Sequence, residues 1–279
     1  MGTKNARAPV FSGSFYPSDP GELRTVVKKA ITAGLSLSSV QTAACSNLQA
    51  VIVPHAGYVY SGEVAGAGYA VIQRAVQSGR KIKTVYILAP AHRAYFQGIA
   101  LSERRVWETP IGGVSVSPVS KTLCTSNKNC CIDEEVHQQE HSIEVQLPFL
   151  LEAVGKNEVE IVPMLVSDVP YQDVAHVLSS VMDDESLLIV STDLSHYLPS
   201  DKARVIDSAT IDAIVHLDVQ KMSTIGDACG KVPILVSMEC ALSRQWSVTC
   251  LQSRNSGDSS GETTSVVGYA AFYMSGVGH

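Results

Sequence analysis

The stretch LLIVSTDLSH, residues 187–196, decides the fold, because its uninterrupted apolar run stops just short of a histidine. Runs of the same character lead into His55 and His92. A run without polar alternation is typical of a strand covered on both faces, as in a parallel sheet with helices on either side. In such sheets the ligand crevice lies beyond the carboxyl ends of the strands. We therefore expect His55, His92 and His196 to converge on one site.

Composition and charge exclude several classes of protein. The 279 residues are 45% hydrophobic and 17% charged, which is enough apolar content for a full core. A net charge of −6 and a pI near 5.7 are opposite to the basic footprint of proteins that bind nucleic acid. No apolar run reaches the roughly 18 residues that span a bilayer, and residues 1–10 carry no secretory signal. We expect a cytoplasmic protein without membrane insertion.

Strands and helices alternate along the chain. Four strands are predicted near residues 49–53, 84–89, 159–166 and 186–191, with helices between them and two closing strands near 245–253 and 265–274. A β-hairpin is predicted within 98–117, followed by a long polar loop to about Glu140. Pro148 should kink or restart the helix that begins near Ser142. The alternation predicts a single α/β domain over residues 1–279, an αβα sandwich with a mainly parallel central sheet.

Proline and glycine shape the ends of the first two strands. Pro54 removes an amide donor just before His55, and Gly57 lets the chain turn closely over the sheet edge. Pro90 stands two residues before His92 in the same way. If the two strands are parallel neighbours, about 4.8 Å apart, both imidazoles can reach one ion through bonds of about 2.0–2.1 Å. The alternative is that each histidine only satisfies backbone groups in its turn.

A carboxylate and a thiol extend this candidate site. Asp193 precedes His196 by three residues, so it could orient that imidazole or simply cap the following turn. Cys229 stands just before a predicted helix, where the helix dipole favours a thiolate, so it could be a soft metal ligand or a nucleophile. His141 and Glu144 lie one helical turn apart and could point into the crevice, although acidic residues are also common at helix starts.

Several unusual strings resemble the Memo family, in that family's order and over nearly the whole chain. They are GSFYP (13–17), PHAGYVYSG (54–62), ILAPAH (87–92), EHSIEVQLPFL (140–150), STDLSHY (191–197) and ACG (228–230). The resemblance implies a fold related to class III extradiol ring-cleavage dioxygenases, which hold non-haem iron with two histidines and a carboxylate. It also implies links to redox chemistry and, in animals, to signalling through phosphopeptides.

The resemblance further implies that His55, His92 and Cys229 hold an iron or copper ion. A thiolate in place of the carboxylate favours softer ions such as Cu(I). The first hypothesis is therefore a redox-active metal site, possessing an open position for dioxygen or a small molecule, in an oxidoreductase. Its candidate catalytic residues are Asp193, His196, His141 and Glu144.

Two other hypotheses remain open. The protein could be a binding module that keeps the enzyme fold but holds a peptide partner without catalysis. Alternatively, it could be a metal-free hydrolase or transferase, with Cys229 as nucleophile, His196 or His55 as base and Asp193 as the orienting group.

Overall fold

The computed structural model describes residues 5–155 and 158–276. Within them the strands are β1 (Ala6–Arg7), β2 (Leu48–Val53), β3 (Thr84–Pro90), β4 (Ile99–Leu101), β5 (Val106–Thr109), β6 (Gly112–Val116), β7 (Cys130–Ile132), β8 (Glu160–Val166), β9 (Ser186–Ser191), β10 (His196–Leu198), β11 (Ser247–Asn255) and β12 (Val266–Ser275). The helices are α1 (Pro20–Leu35), α2 (Ser38–Gln41), α3 (Tyr58–Gln77), α4 (Val119–Ser126), α5 (Glu134–Gln138), α6 (Leu147–Val154), α7 (Tyr171–Val181), α8 (Ser200–Val215), α9 (Val219–Ile225), α10 (Lys231–Arg244) and α11 (Gly257–Ser260).

These strands form one sheet, in the order β1-β5-β6-β8-β3-β9-β2-β12-β10. The four central strands, β8, β3, β9 and β2, run parallel to one another. The long strands β11 and β12 form an antiparallel pair, and β12 pairs antiparallel with β2. The strands before His55 and His92 are not neighbours, because β9 lies between them, so the condition of direct adjacency is not met. Parallel strands pair between residues that are far apart in the sequence. The local sequence therefore does not indicate which strand lies between two others.

The central strands are buried on both faces, as their unbroken apolar runs predict. Successive residues of β2 enter opposite cores: Val51 belongs to the cluster that includes residues of α1, α3 and α6, whereas Ile52 belongs to the cluster that includes residues of α7, α8 and α10. This alternation follows from the two-residue repeat of a strand. The predicted αβα sandwich with a mainly parallel centre is therefore confirmed.

Helix starts follow the local signals that predict them. Asp19 caps α1, since its Oδ1 accepts a hydrogen bond from the Glu22 N–H, and Pro20 occupies the first turn. The helix expected from Ser142 instead begins as a short 3-10 turn, Glu144–Gln146, and α6 then starts with Pro148 in its first turn. No helix in residues 5–155 or 158–276 has the length and apolar character needed to cross a membrane.

The region between the hairpin and Glu140 differs from its prediction. The hairpin itself is present as β5 and β6. The polar loop expected after it contains α4, β7 and α5, so that prediction is wrong. Strand β7 forms by pairing with the distant β4, and α5 begins where Asp133 accepts the N–H groups of Glu135 and Val136. Tertiary pairing thus orders a segment whose own hydrophobic pattern is weak.

Candidate metal centre

Two histidines meet at the carboxyl end of the central strands. His55 lies two residues beyond β2 and His92 two residues beyond β3. Their ring centroids are 5.1 Å apart, with the rings nearly perpendicular. Because β9 separates their strands, adjacency in the sheet cannot bring these rings together. The polypeptide continues for two residues beyond each of these strands before it reaches the histidine.

Cys229 reaches the same point from the turn before α10. Its Sγ lies 3.2 Å from Nε2 of His55, and potential ligand atoms of His55, His92 and Cys229 all lie within 4.8 Å of one another. Two atoms bound to one ion are at most about 4.4 Å apart when one bond is to sulfur and the other to nitrogen, and the 3.2 Å between Sγ of Cys229 and Nε2 of His55 lies within that limit. A borderline-to-soft transition metal therefore fits this set of two nitrogen donors and one sulfur donor.

Gly230 allows Cys229 to approach so closely. The Gly230 N–H donates to Oγ1 of Thr192 at 2.9 Å. A Cβ at position 230 would lie only 2.6 Å from the Thr192 side chain. The residue after Cys229 must therefore lack a side chain, which explains the Cys-Gly pair at this turn.

His55 is a neutral imidazole in this environment. It is 2% exposed, and burial lowers its pKa well below the ordinary value, as do the nearby His141 and His92. Its Nδ1 lies 3.0 Å from Oγ of Ser191. A neutral ring is the form of histidine that binds metals.

Cys229 is a protonated thiol in the metal-free protein. Burial, followed by the charge of Asp193, raises the pKa of Cys229 to about 12. The Asp193 N–H donates to Sγ at 3.3 Å, but this does not offset burial. The expectation of a thiolate favoured by the helix start is therefore wrong for the metal-free chain, because burial outweighs the effect of the helix dipole.

The third histidine of the cluster is His141. Its ring centroid lies 5.3 Å from that of His55 and 5.1 Å from that of His92. Phe15 packs on it at 4.4 Å between centroids. His196 instead lies on β10, opposite Val267 of β12. After burial, His141 and His92, the charge of His196 makes a smaller contribution to lowering the pKa of His55.

Glu140 supports two of these rings, although it was not among the predicted site residues. Its Oε1 lies 3.0 Å from Nδ1 of both His92 and His141. Its carboxylate also accepts the backbone N–H groups of His92, His141 and Ser142. Burial raises the pKa of Glu140, but hydrogen bonds from His141 and His92 outweigh it and hold the pKa below its ordinary value. Its position directly before His141 is the one sequence signal that could have singled it out.

Asp193 contacts His55 rather than His196. Its Oδ1 accepts the backbone N–H of His55 at 2.8 Å, and Oδ2 lies 3.9 Å from Nε2 of the same residue. The expected orientation of His196 by Asp193 differs from this arrangement. The intervening chain pairs with the sheet, where Leu194 N–H donates to Gly268, and this carries His196 away onto β10.

Glu144 lies apart from the three histidines, fully buried beneath the N-terminal segment. It forms an ion pair with Arg7 at 2.5 Å and accepts a hydrogen bond from the Tyr16 hydroxyl at 2.6 Å. The backbone N–H groups of Val10 and Phe11 also donate to it. Its carboxylate is thus occupied by four donors, and it anchors residues 7–16 against the segment that carries Glu140 and His141.

Comparison with known sequences places this geometry in a family context. The sequence model described as "Memo-like protein" matches residues 7–273. A MEMO1 family protein of Desulfurococcus amylolyticus is 32% identical, covering 96% of this chain and 99% of its own. Those of Sulfolobus acidocaldarius and Aquifex aeolicus are 34% and 32% identical, each covering 94% of this chain and 97% of its own.

One solved structure resembles the fold. It is the crystal structure of the uncharacterized protein JW3007 from Escherichia coli K12, with a TM-score of 0.53. The match covers 81% of this chain and 99% of that one at 14% sequence identity. At this identity the likeness supports the architecture and carries no information about the site.

Proposed function

This chain belongs to the Memo-like family, and from that membership and its histidine-cysteine cluster we propose that it binds a redox-active ion, iron or copper, at the crevice. The observation that carries the proposal is the convergence of His55, His92 and Cys229, with potential ligand atoms within 4.8 Å of one another. The proposed activity is that of an oxidoreductase acting on dioxygen or a small molecule. The bound ion would supply one-electron redox chemistry.

The chain's own residues have separate proposed roles around that ion. Asp193 holds the loop of His55 through the backbone N–H, and its charge faces the ligand thiol. His141 and His196 are the proposed proton carriers: His141 contacts both ligand rings, and His196 is near enough for its charge to affect His55. Glu144 acts through the segment it anchors rather than on a substrate.

Removing either histidine ligand is expected to abolish stoichiometric metal retention. His55→Ala and His92→Ala should each purify anaerobically with far less than one bound ion, because only two donors remain. Metal analysis with electron paramagnetic resonance measures this directly. His216→Ala is the matched control, since His216 is exposed on the end of α8 and pairs with Asp212. Unchanged metal content in both ligand variants would refute the proposal.

Alkylation distinguishes a ligand cysteine from a nucleophile. At neutral pH, iodoacetamide should label Cys229 of the metal-free protein more slowly than glutathione, because a thiol with a pKa of about 12 is almost wholly protonated. The rate should rise with pH toward that value. Mass spectrometry of the labelled peptide, with Cys229→Ser as the blank, provides the measurement. Faster labelling than glutathione would favour the metal-free hydrolase or transferase.

A groove beside the cluster favours a second candidate, a peptide-binding module. A cavity of about 550 Å³ lies between the start of α3 and residues 13–17, and its lining includes Phe15, which packs on His141. Val59 and Tyr60 are exposed at the same place. Peptide binding that His55→Ala and His92→Ala leave unchanged would support this alternative over the oxidoreductase.

A further inference from the structure

The hydrogen bonds of Ser191 determine which nitrogen of His55 carries the proton. Its Oγ lies 2.6 Å from the Ser142 carbonyl, 2.8 Å from Nε2 of Gln146 and 3.0 Å from Nδ1 of His55. A carbonyl only accepts, so the single hydroxyl proton goes to Ser142. Both remaining neighbours must then donate to the hydroxyl oxygen. His55 is therefore protonated on Nδ1, and its bare Nε2 faces Cys229.

Gln146 makes this assignment firm, because its amide orientation is independently determined. Its Nε2 also donates to the carbonyl of Pro54 at 3.0 Å, and its Oε1 accepts from the Tyr69 hydroxyl at 3.0 Å. If the Gln146 amide were flipped, its oxygen would face the Pro54 carbonyl oxygen, and two acceptors would meet without a proton between them. The Gln146 group that faces Ser191 is thus the NH₂ donor. The second acceptor position of the Ser191 hydroxyl remains for His55.

Glu140 imposes the same tautomer on His92. A carboxylate that accepts three backbone N–H groups is an acceptor only, and its Oε1 faces Nδ1 of His92 and of His141 at 3.0 Å. The Nδ1 of His92 must therefore carry a proton that it donates to Glu140. Nε2 of His92 lies on the edge of the ring away from Glu140.

We propose that Glu140, Gln146 and Ser191 are positioning residues that set the Nδ1–H tautomer of both ligand histidines, so that each presents Nε2 before any ion binds. Glu140 and Gln146 lie in one segment, and the Ser142 carbonyl between them holds Ser191. One short stretch of chain thus prepares two ligands from separate strands. The inference rests on the proposed metal function, but the tautomers themselves are a property of the metal-free protein.

The tautomers can be read without metal. In the metal-free ¹⁵N-labelled wild type, long-range ¹H–¹⁵N spectra should show that the rings of His55 and His92 carry a proton on Nδ1. Variants His55→Gln and His92→Gln assign the signals. An Nε2-protonated ring for either residue overturns the proposal. If both tautomers are as stated but the wild type binds no Co²⁺ at the cluster, the proposed metal function fails and the positioning stands.

Variants test whether the positioning matters for binding. Ser191→Ala and Glu140→Gln should each weaken Co²⁺ affinity by roughly 10- to 100-fold, the usual cost of losing a residue that supports a metal ligand. In metal-free Ser191→Ala, the His55 signals should change to a mixture of tautomers while those of His92 stay as in the wild type. This selective change is one that a general loss of stability does not produce.

Matched controls separate positioning from stability. Ser237→Ala removes a buried hydroxyl that donates to Ile234 within α10, and Glu152→Gln changes a glutamate of α6 that pairs with the exposed Arg24 and Lys28. Both should keep the His55 and His92 tautomers, and the cobalt absorption bands of wild type. Wild-type affinity in Ser191→Ala and Glu140→Gln, or equal loss in the controls, would overturn the inference.

Discussion

Replacing Cys229 by Asp is expected to change the metal preference of the cluster from soft ions to hard ones. Affinity for Cu(I) should fall by more than the roughly 10- to 100-fold that follows loss of a supporting residue, because a direct ligand is changed. Affinity for Fe(II) should be retained, since two histidines and one carboxylate form a suitable set for non-haem iron. Competition titrations with chelators of Cu(I) and Fe(II) under anaerobic conditions measure both affinities.

The control for this substitution is Cys229→Ser, which has a side chain of similar size but lacks a charged or soft donor. It should lose affinity for both ions. The Co²⁺ form provides a second measurement, because the sulfur-to-metal charge-transfer band should be present in the wild type and absent from both variants. A Cys229→Asp variant that binds Cu(I) as tightly as wild type would show that the thiol is not a ligand.

The strands of this protein were predictable because they are buried on both faces. Each unbroken apolar run has a core on either side, so its character survives in the sequence. The strand order was not predictable, since β9 inserts between β2 and β3 through pairing that no local pattern records. That one difference changes the site: β9 brings Ser191 and Asp193 to the place where His55 and His92 meet.

Sequence spacing identified the proposed metal ligands more easily than the residues that support them. His55 and His92 each follow a strand and a proline, a local signal that the structure preserves. Spacing did not separate Glu140, which bonds His92 and His141, from Glu144, which binds Arg7. The segment between them is a turn rather than a regular helix, so helical periodicity does not apply to it.

Removing the Arg7 side chain is expected to produce the largest loss of stability. Arg7 is 2% exposed, donates to Glu144 and to the carbonyls of His137 and Glu140, and stacks on Trp107 at 4.2 Å. Arg7→Met would leave Glu144 as an unpaired carboxylate that is fully buried. Breaking a buried ion pair in this way costs about 3–5 kcal/mol. Urea unfolding at neutral pH measures the change.

The double variant Arg7→Met/Glu144→Gln tests the cause of this loss. It removes both charges, so its loss of stability should be smaller than that of Arg7→Met alone. Arg105→Met is the surface control and should change the free energy of unfolding by less than about 0.5 kcal/mol, because Arg105 is exposed. A double variant as unstable as the single one would attribute the loss to the carbonyls and to Trp107 rather than to the unpaired charge.

Arg7→Met should also weaken metal binding at the histidine-cysteine cluster. Arg7 donates to the backbone carbonyls of His137 and Glu140, at the start of the segment whose side chains hold His92 and His141. Under conditions where Arg7→Met is still folded, Co²⁺ affinity should therefore fall while Cys229 remains a ligand, seen as a retained charge-transfer band. Wild-type affinity in folded Arg7→Met would mean that residues 7–16 stabilise the fold without tuning the site. Loss of both stability and Co²⁺ affinity in Arg7→Met would show that this distant arginine helps to support both ligand histidines.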